Sequence, residues 1–257
     1  GDQRDLHSVH GRRVSDLAID AGSSEGYVEE VEEAFLSGTR AFYEAEASSM
    51  LSTHTCPEYL RHAARRIEEE RQRVNDYLTE DTGSQLRSIV EDCLISRHAE
   101  TLVDSESGGL AMMDNSRLED LTVMYNLFRT GRQTRRVTVS VRVPGRAGET
   151  DVEKELTPLG VLRERMRAHV ERQGRALVSD SEDAKDPVRF VTRILNLRRH
   201  YHDIVIRSFD ADRDFARALR DAFEYFINQD SMCAQFLSLF LDAQFRTGFR
   251  SKSAHEI

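Results

Sequence analysis

The sequence predicts an all-α fold, an elongated stack of two five-helix repeats forming a stalk, and three observations carry that prediction. Apolar residues recur at three- and four-residue steps along most of the chain. Charged residues make up 32% of the 257 while Pro and Gly number only 4 and 14, a balance that favours long regular helices over turn-rich β structure. The helical segments also fall into two groups of five, as in proteins built from stacked helical units.

The elements follow in chain order. A first, weak helix is expected over 4–20, then helices over 27–52 and 57–80. In the third, Leu60, Ala63, Ala64, Ile67, Val74, Tyr77 and Leu78 form an apolar stripe opposite a charged face running from Arg65 to Arg73, the pattern of a helix packed on one side. Pro57 suits its first turn. A helix over 83–103 and a short one over 107–115 complete the first group.

The second group opens at 117–129, followed by 156–178. Asp186 and Pro187 read as N-cap and first helical position of a helix over 187–209, with Val191, Ile194, Leu195, Tyr201, Ile204, Val205 and Phe209 on its stripe. Asp212 caps the next, over 212–228, which carries Phe215, Leu219, Phe223, Phe226 and Ile227. A last helix over 232–247 carries Phe236, Leu237, Phe240, Leu241 and Phe245 and ends near Gly248. At about 150 residues per domain the length allows one or two domains, and the division falls at 1–116 and 117–257.

One segment breaks the helical period. Six arginines and no acid occupy 129–146, and Val137, Val139, Val141 and Val143 alternate with Thr138, Ser140 and Arg142, a strand signal. Pro144, Gly145, Gly148 and Pro158 then mark a loop. A β-ribbon that binds something acidic competes with an inserted surface loop that has no partner. The loop is favoured, because isolated hairpins are marginal in water.

Composition excludes collagen-like, mucin-like and disulfide-framework classes. The formal charge of −9 speaks against polyanion binding by the chain as a whole. Cys56, Cys93 and Cys233 lie far apart with no metal-ligand spacing, which predicts a reduced intracellular protein, cytoplasmic and/or nuclear. No apolar run approaches the roughly 18 residues of a membrane span, so no membrane partner is expected. Opening on Gly1 rather than Met, the chain is expected to be a fragment or processed form.

Fragments that look catalytic each have a plainer reading. Gly22-Ser23-Ser24-Glu25-Gly26 matches GxSxG but lacks the buried strand that a nucleophile elbow needs. Asp210, Asp212 and Asp214 begin like a calcium loop, yet Phe215 stands where the turn requires Gly, and Asp221 where a bidentate Glu is needed; helix capping explains them better. His200 with His202, and His98 with Glu100, are two residues apart and face different sides of a helix. The stretch Asp104 to Gly109 lacks a phosphate-binding pattern and reads as a helix end and turn. The acidic runs Glu29/Glu30, Glu32/Glu33 and Glu68 to Glu70 lie on charged helix faces. No catalytic, cofactor or metal residues are therefore assigned.

Four blocks resemble the middle of a cullin, the scaffold of RING ubiquitin ligases. They are Glu58-Tyr59-Leu60 through Arg66-Ile67-Glu68-Glu69-Glu70 to Tyr77-Leu78; Leu94-Ile95-Ser96-Arg97-His98 with Ser107-Gly108-Gly109-Leu110; Asp120-Leu121-Thr122-Val123-Met124-Tyr125-Asn126-Leu127-Phe128; and Phe190-Val191 through Tyr201, Phe209, Asp212 and Phe215 to Ala222-Phe223-Glu224-Tyr225-Phe226-Ile227-Asn228. Leu237-Ser238-Leu239-Phe240-Leu241-Asp242 closes the chain in the same manner. Gly174 to Val178 and Asp186-Pro187-Val188 lean toward the cullin-3 type.

The resemblance covers about 27–128 and 159–247 and implies the second and third cullin repeats, with an Arg-rich insert at about 129–158. It implies a scaffold in ubiquitin conjugation rather than an enzyme. In the family, BTB-type adaptors and a RING-box protein bind regions without counterpart in these 257 residues, so partner-binding residues stay unassigned. The alternative is a free-standing helical-repeat binding module without ligase function. A nucleic-acid contact through Arg129–Arg146 is the weaker third reading.

Overall fold

The structure, a computed structural model, describes residues 25–77, 80–142, 149–179, 186–229, 233 and 235–242. The weak helix expected over 4–20 lies outside them. Helices dominate: α1 Glu25–Thr53, α2 Cys56–Tyr77, α3 Glu80–Leu94, α4 Ala99–Asp104, α5 Gly109–Asp114, α6 Leu118–Thr130, α7 Pro158–Val178, α8 Pro187–Ser208 and α9 Arg213–Gln229. Residues 235–242 are also helical. Between α6 and α7 runs a two-stranded sheet of β1, Arg135–Arg142, and β2, Glu149–Leu156.

Caps set the helix ends much as the sequence predicts. Asp186 accepts from the Val188 and Arg189 amides at 3.0 and 3.1 Å, with Pro187 filling a position whose amide has no helical acceptor. Asp212 accepts from the amides of Asp214 and Phe215. At the start of α2, the Thr55 amide donates to the Glu58 carboxylate at 2.9 Å, half of a capping box. That hydrogen bond and the one from the Thr55 hydroxyl hold the Glu58 carboxyl below its ordinary range.

The helix expected over 83–103 is broken. Buried Tyr59 donates its hydroxyl to the Leu94 carbonyl at 2.7 Å, the acceptor that the His98 amide would use in a continuous helix. His98 instead donates to Ile95 O at 3.1 Å, closing the tighter turn Ser96–His98 before α4 begins. Gly108 then fills a position only glycine fits: a Cβ there would stand 2.5 Å from Leu102 O and 2.8 Å from Val103 O.

The inserted loop is also corrected, because the segment is paired. A six-residue connection between β1 and β2 is too short for a parallel crossover, so the strands run antiparallel. Two features remove the marginality expected of a lone hairpin. Val137 and Val139 are buried, and Arg135, the first residue of β1, pairs with buried Asp92 of α3 at 2.5 Å.

Contacts divide the chain into two units, the first comprising 1–108, 123–137 and 153–159, the second 109–122, 138–152 and 160–257. In the first, α1 packs on α3 and α2 on α3, burying Tyr43, Tyr59, Leu60, Leu86, Val90 and Leu94. In the second, α8 packs on α9 around Tyr201, Ile204, Phe209, Phe215 and Phe226. The Phe209 and Phe215 rings lie 4.6 Å apart, those of Phe223 and Phe226 4.9 Å apart. Phe236 closes on Phe190 at 5.1 Å. Leu241, about 140° further round that last helix, is 53% exposed and not on the buried stripe.

Candidate functional site

Among the described residues of the first unit, a multiply bonded polar site is built on Asp92, in the last turn of α3. Its side chain is 7% exposed and takes Arg97 Nε at 3.0 Å, Arg135 Nη2 at 2.5 Å and Arg40 Nη1 at 3.5 Å. Arg97 also reaches Glu44. One carboxylate thereby ties α1, the turn after α3 and the first residue of β1 together. Burial pushes its acid strength down, but hydrogen bonds from Arg135 and Arg97 outweigh that and hold the Asp92 carboxyl below its ordinary value. Burial, helped by the Arg97 charge, keeps neighbouring His98 below its usual range.

A second cluster joins α1 to α2. The Tyr43 hydroxyl donates to Glu70 Oε1 at 2.5 Å, and Arg73 completes that carboxylate at 2.7 Å. Burial, reinforced by Glu70, pushes the Tyr43 hydroxyl well up, so it remains a donor. Arg66 pairs with Glu46 at 3.1 Å and lies 5.5 Å from the Phe42 and Tyr43 ring centres.

The second unit gathers Asp114, His169, Gln173 and Tyr201, a grouping that sequence spacing does not reveal. His169 Nε2 lies 2.8 Å from Asp114 Oδ1, and Arg172 lies 2.7 Å from His169 Nδ1. A guanidinium can only donate, so Nδ1 accepts and Nε2 carries the proton toward Asp114. Gln173 donates to the same Asp114 oxygen at 2.7 Å, and the Tyr201 hydroxyl donates to Gln173 Oε1 at 3.2 Å. Burial and Asp114 push the Tyr201 hydroxyl up, away from any nucleophilic form. The cluster joins α5, α7 and α8 and has the chemistry of an internal clasp.

Gly22, Ser23 and Ser24 lie outside the described residues, and Glu25 and Gly26 open α1. Asp212 is a cap, and Phe215 is buried. Among the described residues no group of His, Cys, Asp and Glu could hold a metal ion. Cys56, Cys93 and Cys233 are buried thiols that form no disulfide with one another. No described helix is long and apolar enough to cross a membrane. The clusters at Asp92, Glu70 and Asp114 each fasten neighbouring elements together.

A family model settles what kind of helical array this is: the cullin alpha solenoid domain matches residues 5–257. The chain belongs to the cullin family. Its relatives carry the cullin-3 name, and it is a cullin-3-like member. It is 35% identical over 240 residues to Cullin-3A of Arabidopsis thaliana, covering 93% of this chain and 29% of that protein. Cullin-3B of the same plant is 32% identical over 247 residues, 96% of this chain and 30% of the relative. Cullin-3 of Dictyostelium discoideum is 28% identical over 249 residues, again 96% and 29%. This cullin chain thus spans about 30% of the length of the curated relatives it matches.

Proposed function

We propose that the chain is a non-catalytic scaffold segment of a cullin–RING E3 ubiquitin ligase, serving ubiquitin conjugation and ubiquitin-dependent degradation in the cytoplasm and/or nucleus. The observation that carries this reading is the family match over 5–257. The partners assigned to the longer protein are BTB-type adaptors and a RING-box protein. The two helical groups, 1–116 and 117–257, are read as second- and third-type cullin repeats acting as a spacer. A spacer works by keeping an adaptor-held substrate at a fixed distance from a loaded ubiquitin carrier, and helices fastened by buried apolar stripes resist the bending that would blur that distance. The internal clasps at Asp92 and Asp114 support this use. The free-standing binding module is not favoured, and Arg135, paired with Asp92, and Arg129, lying over the Tyr125 ring, are already engaged within the chain rather than presented to a nucleic acid.

The test uses the natural full-length protein that contains this chain. It is expected to co-purify with a RING-box protein and a BTB adaptor and to support ubiquitin transfer to the adaptor's substrate. A flexible Gly/Ser segment inserted after Ser116, where the first helical group gives way to the second, is expected to slow transfer while both partners stay bound. Failure of the full-length protein to retain either partner overturns the ligase reading; transfer unaffected by the insertion overturns the spacer reading.

A further inference from the structure

The hairpin is closed on one side and open on the other. Along β1, the carbonyls of Thr138 and Ser140 accept from Arg165 Nη1 and Arg167 Nη2 of α7, each at 3.3 Å. Those carbonyls point away from β2, so the outer edge of β1 is capped by guanidinium groups. No corresponding backbone bond reaches the outer edge of β2 among the described residues. Thr150 to Glu155 are all exposed.

The register follows from one cross-strand contact. Ser140 Oγ donates to Asp151 Oδ1 at 2.8 Å, which sets these residues opposite each other and matches the strand ends, Arg135 with Leu156 and Arg142 with Glu149. Because Ser140 turns its backbone outward, Asp151 does so too, and with the two-residue period so do Glu153 and Glu155. The same three residues form one acidic row on the solvent face, beside Arg136, Thr138 and Ser140 of β1. On the other face Val152 is 40% exposed although β1 buries Val139 opposite it.

An open strand edge is a template for a further strand. A second copy of β2 is a poor occupant, since antiparallel or parallel it sets carboxylates against carboxylates. The complementary occupant carries a cation at every second position, opposite the acidic row, and β-branched apolar residues between, against Val152. β1 already sets one cation, Arg136, opposite Glu155, and one β-branched residue, Val139, opposite Val152. We infer that the outer edge of β2 is a strand-addition site for an extended partner segment in which Arg or Lys alternates with β-branched residues.

The probe is an end-blocked, fluorescein-labelled octapeptide, Arg-Val-Arg-Thr-Arg-Val-Arg-Thr, titrated with the whole chain and read by fluorescence anisotropy. Saturable binding is expected at about 50 mM salt, weakening as the salt is raised. N-methylation of alternate peptide bonds keeps every charge but removes the edge hydrogen bonds, and is expected to weaken binding by roughly tenfold or more. The double variant Glu153→Lys, Glu155→Lys is expected to lose a similar factor with an unchanged helical circular dichroism spectrum, whereas Glu224→Lys, on the solvent face of α9, is expected to leave binding within about twofold. Equal binding of the N-methylated peptide reduces the interaction to diffuse charge attraction and overturns strand addition. So does no binding at about 1 mM peptide, a concentration that would reveal even weak association, and so does concentration-dependent dimerisation of the chain that Glu153→Lys, Glu155→Lys abolishes.

Discussion

Helix α9 and strand β1 are held to their surroundings by opposite means. α9 is fastened by shape: Phe215, Leu219, Ala222, Phe223 and Phe226 are all buried, and Gly174 of α7 gives way so that the Phe226 ring can enter. Among its described side chains β1 buries Val137 and Val139, and it is further fastened by charge, through Arg135 to Asp92 and through the two guanidinium groups on its carbonyls. Apolar fastening is strong, short-ranged, unscreened by salt and independent of titration. Charge fastening spans elements far apart in sequence but yields to both.

The largest break is expected at Phe226→Ala, which removes a fully buried ring and is expected to cost about 3–5 kcal/mol. A thermal melt followed at 222 nm checks it, and a midpoint within a degree of the parent would remove Phe226 from the core. Asp92→Asn follows, at about 1–3 kcal/mol, below the cost of breaking a fully buried pair because Arg97 and Arg135 are 31% and 44% exposed. The Asp92 carboxyl lies below its ordinary value when folded. Its contribution is therefore present at neutral pH and lost as pH falls below the usual aspartate range through that lowered value. Urea midpoints of parent and Asp92→Asn are expected to converge on acidification; a constant gap would contradict the charge account.

Gly174→Ala sharpens the shape side of the comparison. The added Cβ would sit 2.2 Å from Phe226 Cδ1, so about 1–3 kcal/mol of overpacking opposes the roughly 1 kcal/mol that alanine gains over glycine in a helix. Net stabilisation in the same melt would show that the Phe226 ring shifts freely. The smallest effect is expected at Arg135→Ala, at most about 1 kcal/mol, because Arg97 still neutralises Asp92. Amide exchange is the better readout there: faster exchange at Val137 and Val139 with unchanged exchange in α8 and α9 is expected.

The same contrast explains what could be read in advance. The stripes of α2, α8 and α9 and the caps at Asp186 and Asp212 are local patterns, visible because the residues that meet are three or four positions apart. The break after Leu94 depends on the Tyr59 hydroxyl 35 positions earlier, and no window of sequence around Leu94 contains it. β1 was visible as alternating valines. β2 was not, because a strand of alternating acids with a single valine has the composition of a loop. The clasp at Asp114 joins residues 55 to 87 positions apart, and neither Asp114 nor His169 has a neighbour that marks it.

Gly131 has a consequence for how the hairpin came to be tolerated. A Cβ at this position would meet Pro158 Cγ at 2.8 Å and Ser96 Oγ at 3.2 Å, so the chain leaves the helical framework at Gly131 and rejoins it at Pro158, its immediate spatial neighbour. An excursion whose two ends already touch imposes almost no closure penalty on what surrounds it, and its length can change freely. The junction behaves as a port: excising residues 132–157 and bridging with two glycines should leave the helices folded, and foreign segments spliced there should be carried as passengers.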